Sequence, residues 1–275
     1  MSRNRPERNV EWSAAGMPTV VKIGGHVIDD AAALGGFLDA FAALPGAGLL
    51  VHGGGRAASR MAERLGLIPR MIEGRRVTDT AMLEVVTMVY GGLVNRTIVA
   101  GLGARGRPAL GLTGADGGII RARRRAVGEI DWGYVGDIEG VDGGRLAAFL
   151  DGGLTPVLAP LTADGAGQLL NTNADTIAAA VAAALAERSA VRLIYCFEHG
   201  GVLEDPADEA SVIAELARTD YHDRKSSGAI GGGMIPKLDT GFAALAAGVA
   251  EVRIGAAGDL LELVAGRAGT RLVAD

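Results

Sequence analysis

The chain has 275 residues, enough for one large α/β domain or two smaller ones around their own cores. Its net charge of −5, without a basic stripe, excludes nucleic acid as an expected partner. A lone cysteine, Cys196, excludes an intrachain disulfide and a CxxC metal site. No run of about 18 uninterrupted apolar residues marks a membrane span, so no membrane partner is expected.

Met1 to Gly16 is polar and Arg-bearing with no apolar core of a secretory leader, so the cytoplasm is the expected compartment. Residues 1–18 read as an N-terminal extension with no clear apolar stripe. Thr19–Ile23 reads as a strand, followed by Gly24-Gly25 and a helix from about Asp30 to Ala43. Gly48–Val51 is a second strand, followed by His52-Gly53-Gly54-Gly55 and a helix to about Leu65. Asp79 to Gly101 reads as a long helix with Thr78 or Asp79 placed to cap it. Pro108–Leu112 is a strand, 119–141 looks like hairpins, Leu154–Ala159 is a strand, and Ala174–Ala186 is an alanine-rich helix.

After the polar break at 187–190 the alternation restarts. Val191–Phe197, Val252–Gly255 and Thr270–Val273 read as strands, with helices at Met234–Ala247 and Asp259–Val264. Such alternation implies a mostly parallel sheet with helices on both faces, a three-layer αβα sandwich. The expected division is 19–187 and 188–275.

Of 27 basic residues only Lys22, Lys225 and Lys237 are lysines. Codon bias explains the arginines equally well, but Lys22 and Lys237 lie beside glycine clusters, where a compact ammonium can reach a crowded phosphate site. Glycine clusters at Gly24-Gly25, His52 to Gly55 and Gly231 to Gly233 fit either tight turns or backbone N–H groups aimed at phosphate oxygens. No GxxxxGK[ST] is present. A GxGxxG, Gly101 to Gly106, follows a helical segment rather than a strand, so it reads as a helix stop. Asn171-Thr172-Asn173-Ala174-Asp175 fits an ordinary helix cap, or Asn171 holding a substrate while Asp175 positions lysines. Gly74-Arg75-Arg76-Val77-Thr78-Asp79 reads as the end of a hairpin, where an arginine can grip a carboxylate. His52 reads as fixing its glycine loop by hydrogen bonding, and the scattered histidines offer no metal site.

Taken in order, these elements resemble the amino-acid kinase family, and within it the enzymes that phosphorylate N-acetylglutamate. The match also takes in Gly111 to Gly117 and Gly233-Met234-Ile235-Pro236-Lys237-Leu238, and covers about 19 to 273. The resemblance implies an acyl-amino-acid-binding and dimerising half (19–187), a nucleotide-binding half (188–275) and a homodimer. It implies that Lys22, Lys237 and Asp175 are catalytic. Gly54, Gly55, Arg76 and Asn171 would bind an N-acylglutamate. Gly24, Gly25, Glu198, Gly201, Gly232, Gly233 and Met234 would bind ATP, whose Mg²⁺ is carried by the nucleotide, with no metal site of the chain's own. The chain departs from the family at Tyr195-Cys196-Phe197-Glu198, where an aspartate-bearing strand end is common, and this variant resembles a branch in which N-succinylglutamate is an alternative substrate. Aspartate, carrier-bound aminoadipate and a non-catalytic nucleotide or amino-acid sensor are the remaining readings. Two retained lysines argue against a sensor, which has no transition-state charge to stabilise.

Overall fold

A computed structural model describes residues 16–275 except Glu73. Most of the expected N-terminal extension lies outside the described residues. The strands are β1 (Thr19–Ile23), β2 (Gly48–His52), β3 (Met71–Ile72), β4 (Arg75–Arg76), β5 (Ala109–Leu112), β6 (Ile120–Arg124) and β7 (Gly136–Val141). They continue with β8 (Thr155–Leu158), β9 (Leu161–Ala163), β10 (Leu169–Asn171), β11 (Arg192–Phe197), β12 (Glu215–Ala217), β13 (Glu251–Ala256) and β14 (Thr270–Val273). Eight of them form one sheet in the order β12-β14-β13-β11-β1-β2-β8-β5, parallel except for the β13–β14 pair.

The polar break near 187–190 does not interrupt this sheet. It is the loop before β11, which pairs directly with β1. The core is divided by sheet face and not by sequence half. Val20, Leu49, Leu193 and Tyr195 belong to one apolar cluster, and their chain neighbours Val21, Leu50, Ile194 and Cys196 to the other. That alternation is the two-residue period of strands buried on both sides. The expected halves are therefore two ends of one sheet, without separate cores.

The helices are α1 (Gly25–Asp29), α2 (Ala31–Ala42), α3 (Gly55–Arg64), a long α4 from Thr80 to Ala104, α5 (Gly143–Asp151), α6 (Ala174–Ala186), α7 (Arg218–Ser226), α8 (Met234–Ala246) and α9 (Leu260–Val264). Helices α1, α5 and α7 and strands β9, β10 and β12 are additions to the sequence reading. Helix α4 starts on an Asp79 cap, whose carboxylate accepts from the Met82 N–H, and widens to a π-helix over Thr87–Val94. It is long and apolar enough to cross a bilayer, yet its Val85, Val86, Val89, Ile98 and Leu102 are buried in the core. The GxGxxG is the tail of α4, closed by Gly106 at φ +73°.

His52 and Asn95 tie α4 to the sheet. The Asn95 amide donates to His52 Nε2 at 3.1 Å and to the Val157 carbonyl at 2.9 Å, and His52 Nδ1 lies 2.7 Å from the Gly53 carbonyl. These contacts fit the neutral tautomer with its proton on Nδ1. Burial pushes His52 down to about 4. Because this is below the unfolded value of about 6.5, protonation favours unfolding. The His52 contribution to stability is complete above pH ~6.5 and is lost towards pH ~4, at up to ~1.4 kcal/mol per pH unit. Denaturant titrations across this window should give a shallower acid slope for His52→Asn than for the wild type; parallel slopes would contradict a neutral buried imidazole.

Candidate functional site

Lys22, Asp175 and Lys237 come from three distant segments and meet on one face of the sheet. Lys22 lies on the Val20 side of β1, Asp175 in the first turn of α6 and Lys237 in the first turn of α8. Lys22 Nζ is 2.7 Å from Asp175 Oδ1, and Lys237 Nζ is 3.5 Å from Oδ2. All three are buried, at 6%, 5% and 9% exposure. Burial opposes the Asp175 charge, but the two ammonium groups outweigh it and hold the carboxyl below its usual value. Burial also pulls the Lys237 ammonium down; Asp175 offsets part of this, while Lys22 adds to it. Lys237 donates to the Gly233 carbonyl at 3.1 Å and lies over the Phe197 ring. The trio carries one more positive charge than it neutralises, and burying that excess is costly without an anion.

The surrounding backbone is arranged for such an anion. Helices α2, α4, α5 and α6 begin on side-chain caps from Asp30, Asp79, Asp142 and Asn173. By contrast, α1, α3 and α8 begin at Gly24, Gly54 and Gly233 with no side-chain cap. At α8 the Met234 and Ile235 N–H groups donate to the Gly231 and Gly232 carbonyls, both at 3.3 Å; at α1 and α3 the uncapped glycine starts suit a backbone approach to an anion. Gly54 sits at φ +147°, and a Cβ there would fall 3.0 Å from the Tyr90 ring. A Cβ on Gly24 would lie 3.8 Å from Lys22 Nζ. A Cβ on Gly232 or Gly233 would meet nothing within 4 Å, so that loop is open.

A cavity of about 510 Å³ opens beside the trio and is lined from both ends of the sheet, including Gly54, Gly55, Arg76, Asn171, Pro236 and Thr240. Arg76 is buried and donates to the Gly55 carbonyl and Ser59 Oγ, both at 2.8 Å, with no carboxylate partner among the described residues. Asn171 donates to Thr78 Oγ1 at 2.9 Å, which holds its amide in the cavity wall. Glu198 stands just past the end of β11 near Arg56, at 3.3 Å, an exposed pair of small energetic weight. Gly201 is placed differently from the other expected residues. It is buried, and a Cβ there would fall 2.6 Å from Val212 and 2.7 Å from Thr270 Oγ1, so its missing side chain serves packing. Gly25 lies against Arg56, and Met234 opens α8. Sequence reasoning gave no role to Tyr90, Phe197 or the Tyr195–Thr240 pair; Tyr195 and Phe197 entered it only as the departure from the family at the end of β11.

The sequence profile of the amino acid kinase family matches residues 17–256. The chain is 52% identical to the acetylglutamate kinase of Bacteroides thetaiotaomicron over 254 residues, 92% of this chain and 97% of that protein. It is 48% identical to the acetylglutamate kinase of Cytophaga hutchinsonii over 259 residues, 93% and 98% of the two chains. The crystal structure of smu.665 from Streptococcus mutans UA159 superposes with a TM-score of 0.77 at 29% identity, covering 94% of this chain and 99% of that one.

Removing the central carboxylate leaves two buried ammonium groups facing each other. Asp175→Asn should lower stability at pH 7 by about 3–5 kcal/mol, with part regained in sulfate or pyrophosphate. Thermal melts check this; wild-type stability without added anion would contradict it.

Proposed function

Because this chain belongs to the amino acid kinase family, we propose that it transfers the γ-phosphoryl group of ATP to the side-chain carboxylate of N-acetyl-L-glutamate. The product is an acyl phosphate, and the step serves arginine biosynthesis in the cytoplasm. The observation that carries this reading is the buried Lys22–Asp175–Lys237 trio with its unneutralised positive charge.

A glutamate side chain has a pKa of about 4.3, so near pH 7 the nucleophile is already ionised and needs no general base. His52, neutral and engaged through both ring nitrogens, supplies none. What remains is in-line positioning and neutralisation of charge on the phosphoryl oxygens. Lys22 and Lys237 approach those oxygens from opposite sides, with Asp175 orienting both. The N–H groups at Gly54 and Gly55 meet the phosphoryl region. Arg76 and Asn171 hold the α-carboxylate side of the acyl substrate. The nucleotide lies towards Gly24, Gly25, Glu198, Gly232, Gly233 and Met234. Among the described residues no group of three or more His, Cys, Asp or Glu is placed to hold a metal. A Mg²⁺ ion would be carried by the phosphates of ATP, and no residue is assigned to it.

A second acyl group, N-succinyl, is favoured by one observation. Arg75 lines the same cavity and has no ion-pair partner among the described residues, so it can meet a further carboxylate. Association into a homodimer through the 19–187 half is supported by Met88 and Leu93, exposed at 55% and 57% on α4. Light scattering should give twice the 28.0 kDa chain mass; a monomer would contradict this.

Coupled ADP release with N-acetylglutamate and N-succinylglutamate tests the reaction; no turnover with either would sink it. In the same assay Lys237→Arg should lower kcat about 100-fold while moving KM for ATP less than about threefold. Equal losses in both would make Lys237 a plain nucleotide anchor.

A further inference from the structure

Tyr195 lies outside the cavity lining and is fully buried in β11, in register with Lys22 on β1. It shares the sheet face on which α6 and α8 pack. A phenylalanine would fill nearly the same apolar volume, and a buried hydroxyl is costly unless it is hydrogen-bonded. The Tyr195 hydroxyl does find partners, and both lie next to the charged trio. It donates to the backbone carbonyl of Asp175 at 3.2 Å and lies 2.9 Å from Thr240 Oγ1. Thr240 is three residues beyond Lys237, and its Oγ1 is 2.7 Å from the Pro236 carbonyl and 3.1 Å from the Lys237 carbonyl. One pair of hydroxyls thus links the backbone that carries Asp175 to the backbone that carries Lys237, while the β-ladder fixes Tyr195 against Lys22.

We propose that Tyr195, acting through Thr240, is a positioning residue that sets the separation between Asp175 and Lys237. With Tyr195 donating to the Asp175 carbonyl and accepting from Thr240, the link runs from the start of α6 to a side chain of α8 itself; Tyr195 lies outside the cavity, whereas Thr240 is in its wall. Burial pushes the Tyr195 phenol far above its ordinary value, so the donor persists across the working pH range. Without the hydroxyl, α6 and α8 remain packed through their apolar side chains, but the first turns that carry the charges lose their tie.

The kinetic arm of the test rests on the phosphoryl-transfer reading, whereas the structural arm does not. Tyr195→Phe and Thr240→Val, singly and together, should be crystallised and assayed. In each variant the Lys237 Nζ to Asp175 Oδ2 distance should open from 3.5 Å to beyond about 4 Å. The kcat should fall about 10-fold with KM for both substrates within about twofold, and the double variant should be no slower than the worse single one. An unchanged separation in both single variants, wild-type kcat in Tyr195→Phe, KM losses equal to those in kcat, or losses that multiply in the double variant would each overturn the proposal. Failure of the wild type to phosphorylate an acylglutamate would instead overturn the substrate reading, and the separation would still decide the positioning role.

Discussion

Two buried lysines held on one buried aspartate impose the constraint from which the rest of this molecule follows. Ion pairs out of water cost desolvation, and a third charge left unmatched costs more. The fold tolerates this at Lys22, Asp175 and Lys237 because each sits near the end of an element whose apolar residues are deep in the core. Strand β1 at the middle of the sheet presents one lysine, and α6 and α8, packed over the same face, present the other two charges. The continuous sheet brings both ammonium groups within 3.5 Å of one carboxylate. The unbroken β11–β1–β2 ladder is the frame on which the site is built.

The helix starts around the site differ in how they are capped. An Asp or Asn side chain supplies the capping oxygen at α2, α4, α5 and α6, the last of which carries Asp175. At α1, α3 and α8 a glycine stands at the start without a side-chain cap, which lets the backbone come close to an anion. An acceptor that is already ionised at neutral pH needs charge and position more than proton transfer. In the proposed reaction the site would supply those through lysines, backbone and a fixed arginine. The neutral, doubly bonded His52 belongs to the scaffold.

Much of this was legible in the sequence, for identifiable reasons. In a chain that uses arginine almost everywhere, Lys22 and Lys237 stand out beside their glycines, and Asn171 to Asp175 marks a helix start with one acid too many. Strand and helix bounds followed from apolar runs ended by glycine, and α6 was read to its last residue. What escaped depended on distance in space. Helix α7 is polar along most of its length, and α5 begins on Gly143-Gly144, which reads as a turn. The break at 187–190 looks like a boundary in sequence because nothing local shows β11 pairing with β1. Gly201 shared a cluster with residues of the strand end, but its role in packing against Thr270 needs the fold to be seen. Tyr195 was hidden in an apolar strand, where its hydroxyl carries no local signal.

The central claim is that the charge of the trio is directed at a phosphoryl group in transit more than at bound ATP. The most direct test is calorimetric titration of the wild type and Lys237→Met with ATP, and with ADP plus aluminium fluoride in the presence of N-acetylglutamate. The account predicts that the variant loses about 100-fold or more in affinity for the aluminium fluoride complex and less than about fivefold for ATP. Equal losses for the two would contradict it.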